Sequence, residues 1–199
     1  MSLLRLLTWA SPAFPTGGYA YSHGLEWAVE VGDVTNERQA LDWIDAVMID
    51  GTGRQDAVLM RLAYAGEDVA DLAAATAPSS ERRAETMQQG AAFALAGAVW
   101  GDIVAAAYPV AWGRLARQQN VPIDDAVLAM LHALAANLVS AAVRLVPLGQ
   151  TAGLRILEAL EPTILDITHD PAPELGGACF RSDIAAMRHE TQHTRLFRS

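Results

Sequence analysis

The chain has 199 residues and a net charge of −9, with 52% hydrophobic and 19% charged side chains. All fourteen basic residues are arginines; without lysine there is no Schiff-base nitrogen and no complete phosphate-cradling GxxxxGK[ST] loop, and the acidic balance disfavours nucleic acid. The single cysteine, Cys179, excludes an internal disulfide and suits a reducing compartment.

Ala and Leu, both strong helix formers, dominate with Val, and no sustained two-residue alternation is found. These features suit one domain over 1–199 and lean to helix. With the segments read below and the family resemblance that follows them, the expectation is a compact all-α bundle of roughly eight to ten helices with 175–199 as a C-terminal interaction tail. The high apolar content implies a large core, or apolar surface that a partner covers.

In chain order, the short apolar run Leu3–Trp9 is interrupted by Arg5 and followed by two prolines, so Met1–Pro15 reads as mature sequence of a cytoplasmic protein. The loop Ser11–Gly18 is too rich in Pro and Gly to be helical. A helix is expected from Ser22, its cap, to Val31, with Gly32 as the stop. Asn36 with Gln39 has capping-box spacing and opens a helix whose core stripe is Leu41, Ile44, Val47 and Met48. Gly51 and Gly53 break it, and Val58, Leu59 and Leu62 carry the next helix to Gly66.

Ala-rich helices are expected at 67–77 and 80–97. Gly90–Gly113 holds one charge, Asp102, and could be mistaken for a membrane span; the central carboxylate and Pro109 favour a central bundle helix. A long helix follows Pro122, with Asp124 and Asp125 in its first turn and an inward stripe through Val127, Leu131, Leu134 and Leu138. It ends near Pro147. One more helix runs through Leu154 and Leu157 to Glu161, and Asp170–Gly177 is a linker.

Several constellations invite chemistry. His189-Glu190-Thr191-Gln192-His193 fits HExxH, in which two imidazoles on one helical face bind zinc while the glutamate acts as a base. A zinc-dependent hydrolase is therefore the alternative reading. It lacks a third ligand, because the six residues after His193 include no His, Asp, Glu or Cys. Arg181, Arg188 and Arg195 are seven apart, one face of a continuous helix, and from Leu175 onward the charge is +2 against −11 elsewhere. Such a tail is either a terminal helix laid on an acidic body or an arm ordered on binding a partner. Asp42/Asp45 and Glu158/Glu161 read as solvated pairs, and Ser22-His23 lacks both the strained nucleophile turn and an orienting acid.

Three segments together resemble the urease accessory protein UreF family: Leu7–Glu26, containing GGYAYSHGLE; Val143–Gln150, VRLVPLGQ; and Arg188–Ser199, ending RLFRS. Gln89–Phe93 is a weaker echo, and the anchors run in the family's order along the whole chain. Ala20, Leu154, Arg155 and His193 depart from the family pattern, and the last makes HExxH an accident of one aromatic-to-His change.

The resemblance implies an all-α, non-enzymatic scaffold that forms a homodimer and binds UreD (also called UreH). With it the scaffold would recruit the GTPase UreG to apo-urease and regulate GTP-dependent nickel insertion, leaving nickel and GTP to the partners and needing no cofactor of its own. Carried onto this sequence, the partner-contact residues are Arg188, His189, Glu190, Arg195, Phe197 and Arg198 of the tail, with Tyr19, Tyr21, Ser22, Gly24 and Glu26 of the first motif. Neither a nucleic acid nor a membrane is expected as a partner.

Overall fold

Glycine, proline and side-chain caps set most helix ends. Asn36 accepts the Gln39 N–H at 3.1 Å, while Gln39 Oε1 accepts the Thr35 N–H at 2.9 Å, a capping box whose return bond lands one residue early. Ser79 caps another helix by accepting the Arg82 N–H at 3.2 Å. The computed structural model describes residues 2–170 and 174–199. Among them are α1 (Ser2–Trp9), a 3₁₀ turn (Gly18–Ala20), α2 (Leu25–Glu30), α3 (Glu37–Ile49), α4 (Thr52–Ala65) and α5 (Ala70–Ala75). There follow α6 (Ser80–Gly97), α7 (Tyr108–Gln118), α8 (Ile123–Leu145), α9 (Gln150–Ala159), α10 (Glu161–Thr168) and α11 (Phe180–His189). No strand occurs among the described residues, so the fold is all-α as expected.

The apolar α8 is the hub, packing against α1, α2, α3, α4, α7, α9 and α10. Of the stripe that helical spacing anticipates, Val127, Leu131 and Leu138 are buried on it, as are Val139 and Ala142, while Leu134 is half-buried and Leu128 exposed. Among the described residues it is the one helix long and apolar enough to cross a membrane, and half of its most apolar window is buried inside the protein. Beside it, Phe93 of α6 stacks on Trp112 of α7 with centroids 5.0 Å apart, and Trp9 meets Trp112 edge-on at 5.8 Å.

Several boundaries differ from expectation. Gly90–Gly113 is not one helix: α6 stops at Gly97, 98–107 is non-helical, and Pro109 lies in the first turn of α7, where its missing N–H costs nothing. A Cβ on Gly90 would lie 1.8 Å from the Ala106 carbonyl oxygen, so only glycine lets that segment close onto α6. The helix expected from Ser22 begins at Leu25, because His23 (φ 53°) and Gly24 (φ 76°) are left-handed. The Ala-rich stretch 67–77 is helical only over Ala70–Ala75, and α10 begins after Leu160 with Pro162 in its first turn. Three positions of the expected 170–177 linker, 171–173, lie outside the described residues.

Candidate functional site

The segments singled out in the sequence are far apart along the chain and meet at one end of the bundle. The chain leading into α2 runs beside the last residues: the Arg198 N–H donates to the Ala20 carbonyl at 2.8 Å and the Ser22 N–H to the Ser199 carbonyl at 2.7 Å. The same Ser199 oxygen accepts the Ser22 hydroxyl. Ser22 is not the cap expected from sequence, since Gly24 holds that position, but its Oγ accepts the first-turn Glu26 N–H at 3.3 Å. From the middle segment, Arg144 donates to the Tyr19 carbonyl at 2.8 Å and lays its guanidinium 4.4 Å from the centre of the Phe197 ring.

Glu26 is the hub of this junction. Its Oε1 accepts the Leu196 N–H at 2.6 Å, and its Oε2 accepts the Phe197 N–H at 2.9 Å while lying 2.9 Å from His189 Nε2. The other ring nitrogen, Nδ1, is 2.7 Å from Glu81 Oε2, and Arg195 donates to Glu81 Oε1 at 2.6 Å. Gln192 donates to Glu30. Helix α11 can lie this close because Gly24 has no side chain: a Cβ there would be 2.7 Å from the Ala186 nitrogen and 2.9 Å from the Ser182 carbonyl oxygen.

A second polar centre lies just inside. The Arg82 guanidinium binds Glu85, reaches the Thr52 hydroxyl at 3.3 Å and sits 2.7 Å from His23 Nε2. His23 Nε2 is also 3.1 Å from Glu85, and Gln89 and the Ser199 hydroxyl each donate to that carboxylate at 2.9 Å. Burial pushes the Glu85 carboxyl up, but Arg82 foremost among its donors outweighs that and holds it at about 2. Burial, and then the Arg82 charge, lower the His23 imidazole, favouring its neutral form. Burial raises Asp56, which lines a small cavity (about 40 Å³) with Arg82, Tyr108 and Asn137, to about 7 despite the Arg82 charge.

The sequence-predicted residues divide into two sets. Tyr21, Ser22, Gly24, Glu26, His189 and Phe197 are buried, their contacts made within the chain. Tyr19, Arg188, Glu190, Arg195 and Arg198 are exposed. The expected arm is not free: it is folded onto the body, with Phe197 5% exposed and Ser199 fully covered. Nor do the three arginines share a helical face, since α11 ends at His189 and Arg195 lies in the irregular stretch beyond it.

The zinc reading fails for the same reason. His193 is exposed beyond the helix end, whereas both nitrogens of the fully buried His189 ring are taken by carboxylates. Glu190 is not placed as a base; it accepts the Ser80 N–H at 2.8 Å in the first turn of α6, and that bond lowers its pKa. No group of three or more His, Cys, Asp or Glu able to hold a metal occurs among the described residues.

Several residues of the two polar centres were missed in the sequence, among them Glu81, Arg82, Glu85 and Arg144. A signal existed for two of them. Arg82, Glu85 and Gln89 continue the helical spacing of Phe93, so the inward face of α6 changes from polar to aromatic along its length. Outward, α11 shows the opposite pattern: Phe180 (73% exposed), Ile184 (54%) and Met187 (50%) form an apolar stripe, with Arg181 and Arg188 beside it and Leu196 (76%) on the tail.

The family model described as UreF matches residues 34–161. The urease accessory protein UreF of Cereibacter sphaeroides strain KD131 is 50% identical over 207 residues, an alignment covering 100% of this chain and 99% of that protein. The proteins of the same name from Rhodopseudomonas palustris strain HaA2 and Bradyrhizobium diazoefficiens are 48% and 47% identical, covering 100% of this chain and 94% and 92% of their own lengths. The alignments to these relatives therefore include the tail junction, which lies beyond the segment matched by the family model.

Proposed function

Since the chain belongs to the UreF family of urease accessory proteins, we propose that it is a non-enzymatic scaffold of urease maturation in the cytoplasm. With UreD/UreH it recruits the GTPase UreG to apo-urease and regulates GTP-dependent nickel insertion. Nickel and GTP are handled by the partners. The lysine-free sequence supports this division of labour, because a phosphate-cradling loop would have to come from another protein.

The observation that carries the docking role is the outer face of α11 and the tail. Phe180, Ile184 and Met187, each half or more exposed, recur at helical spacing along α11, Leu196 stands exposed on the tail, and exposed Arg181 and Arg188 flank the stripe. Apolar anchors beside Arg are the composition from which interface hot spots are built. Exposed Leu3, Leu4 and Leu7 of α1 form a separate apolar face that suits the expected homodimer.

Removing Arg181–Ser199 would test docking poorly, because it would also uncover the core around Phe197. Surface substitutions are cleaner. Ile184→Glu combined with Met187→Glu is expected to leave the melting temperature within a few degrees and to weaken capture of purified UreD/UreH by at least about tenfold. Undiminished capture by a folded variant would remove this face from the assembly.

A further inference from the structure

Five polar side chains from four parts of the chain line one interior cavity of about 40 Å³: His23 from the approach to α2, Asp56 of α4, Arg82 and Glu85 of α6, and Asn137 of α8. Arg82 and Glu85 are paired with each other. A further cation would lie against that guanidinium and a further anion against that carboxylate, so the lining suits a neutral polar guest. His23 is 3% exposed, and its two ring nitrogens are treated differently. Nε2 lies 2.7 Å from Arg82 and 3.1 Å from Glu85, whereas the buried Nδ1 has no hydrogen-bond partner among the described residues. Neither neutral tautomer resolves this: an Nδ1–H lacks an acceptor, and a bare Nδ1 lacks a donor. A group left dry in that way loses its hydration with nothing to replace it. Asp56 and Asn137, both half-buried, make no hydrogen bond to a described residue either.

We propose that this cavity is a hydration site: it holds at least one ordered water, hydrogen-bonded to His23 Nδ1 and shared with the Asp56 and Asn137 side chains. Water fits on three counts. It both donates and accepts, so it answers Nδ1 in either tautomer and also the carboxyl and the amide. It is neutral. Finally, the cavity of about 40 Å³ exceeds the about 10–15 Å³ that one molecule needs, and a polar lining holds water where an aliphatic one stays dry. The bridge fixes the ring of a residue whose backbone is left-handed, with φ at 53°, a conformation that persists only where the surroundings over-determine it. It also bears on the tail junction, because the His23 carbonyl accepts the Ser182 hydroxyl of α11 at 3.0 Å.

The isolated full chain is enough for the test. Water–protein NOE and ROE spectra are read at the methyls of Ala133 and Leu138, which line the same cavity and carry no exchangeable proton. A water held there is expected to give NOE and ROE peaks of opposite sign, as within a rigid molecule. Ala133→Leu puts its added carbons into the cavity and should abolish the peak at Leu138, while the hydroxyls of Thr52 and Thr86 that could relay exchange stay in place. Xenon is the counter-probe, since a dry apolar cavity takes it up and a wet polar one does not; the wild-type methyl shifts should not move under xenon pressure. Absent water peaks overturn the hydration site, with or without a xenon shift. Peaks of the sign given by freely diffusing solvent overturn it too, as do peaks at full strength in a folded Ala133→Leu. If that variant fails to fold, the wild-type NOE and xenon results still decide. None of these readings involves UreD/UreH capture, so the hydration site and the docking role fail separately.

Discussion

Helix α6 joins two regions built on different principles. Its C-terminal half enters an aromatic cluster in which Phe93, Trp9, Trp100, Tyr108 and Trp112 pack at centroid distances of 5.0–6.3 Å. Its N-terminal half carries Glu81, Arg82, Glu85 and Gln89 into the polar junction below α2 and α11. Aromatic burial is non-directional and degrades by degrees as contacts are lost. A buried ion centre depends on every member: each donor that leaves strands a charge in a medium that cannot solvate it. One region supplies stability; the other specifies where a tail goes.

The sharpest way to break that contrast is to remove one member from each side. Arg82→Ala leaves the buried Glu85 carboxylate without its main counter-charge and is expected to cost about 3–5 kcal/mol in denaturant unfolding. Arg82→Met with Glu85→Met removes both charges and should cost clearly less than the single change. In the aromatic cluster Phe93→Leu, which roughly conserves volume, should cost no more than about 1.5 kcal/mol. If the single arginine variant proved as mild as Phe93→Leu, the ionic region would be no more specific than the aromatic one.

The two regions were unequally legible in the sequence. Helix α8, the cap at Asn36 and the ends near Gly66 and Pro147 follow from local rules, so their positions could be read directly. The Gly90–Gly113 stretch misled because apolar composition without charge does not distinguish one long helix from two buried ones separated by an irregular segment. At the site, the quoted motifs pointed to the right segments but not to their use. Glu26 and His189 are 163 positions apart, and nothing in helical periodicity says that one carboxylate will hold both that ring and two tail amides. Arg195 looked like the third member of a heptad face because spacing by seven counts only while the helix continues.

A middle-sized effect is expected at the contact between the two motif segments. Gly24→Ala imposes a left-handed residue with a Cβ and drives that carbon into the backbone of α11, so α11 must shift or Gly24 must change conformation. The expected cost is about 1–3 kcal/mol, with the amide signals of Leu196 and Phe197 perturbed although neither residue is mutated. A variant with wild-type stability and an unmoved tail would mean that α11 is not held where Gly24 permits it.

The effect expected at Asp56 appears only as the pH is changed, and its sign separates it from Glu85 in the same region. Burial raises the Asp56 carboxyl from 3.8 to about 7, so the folded chain keeps a proton that the unfolded chain releases, and stability falls as pH rises from about 4 to about 7. Glu85 does the reverse: it is held at about 2, its contribution is present above its ordinary value of 4.5, and it is lost only as acid takes the pH down toward 2. Asp56→Asn keeps the shape and abolishes the titration. It should therefore be nearly neutral below about pH 4 and increasingly stabilising as the pH rises toward about 7, with no further change above that. Thermal melts of the two proteins across that interval provide the measurement, and curves that stay parallel would show that Asp56 is already ionised at no cost. That result would place the boundary of the desolvated centre inside Arg82, leaving His23 and Glu85 as its only costly members.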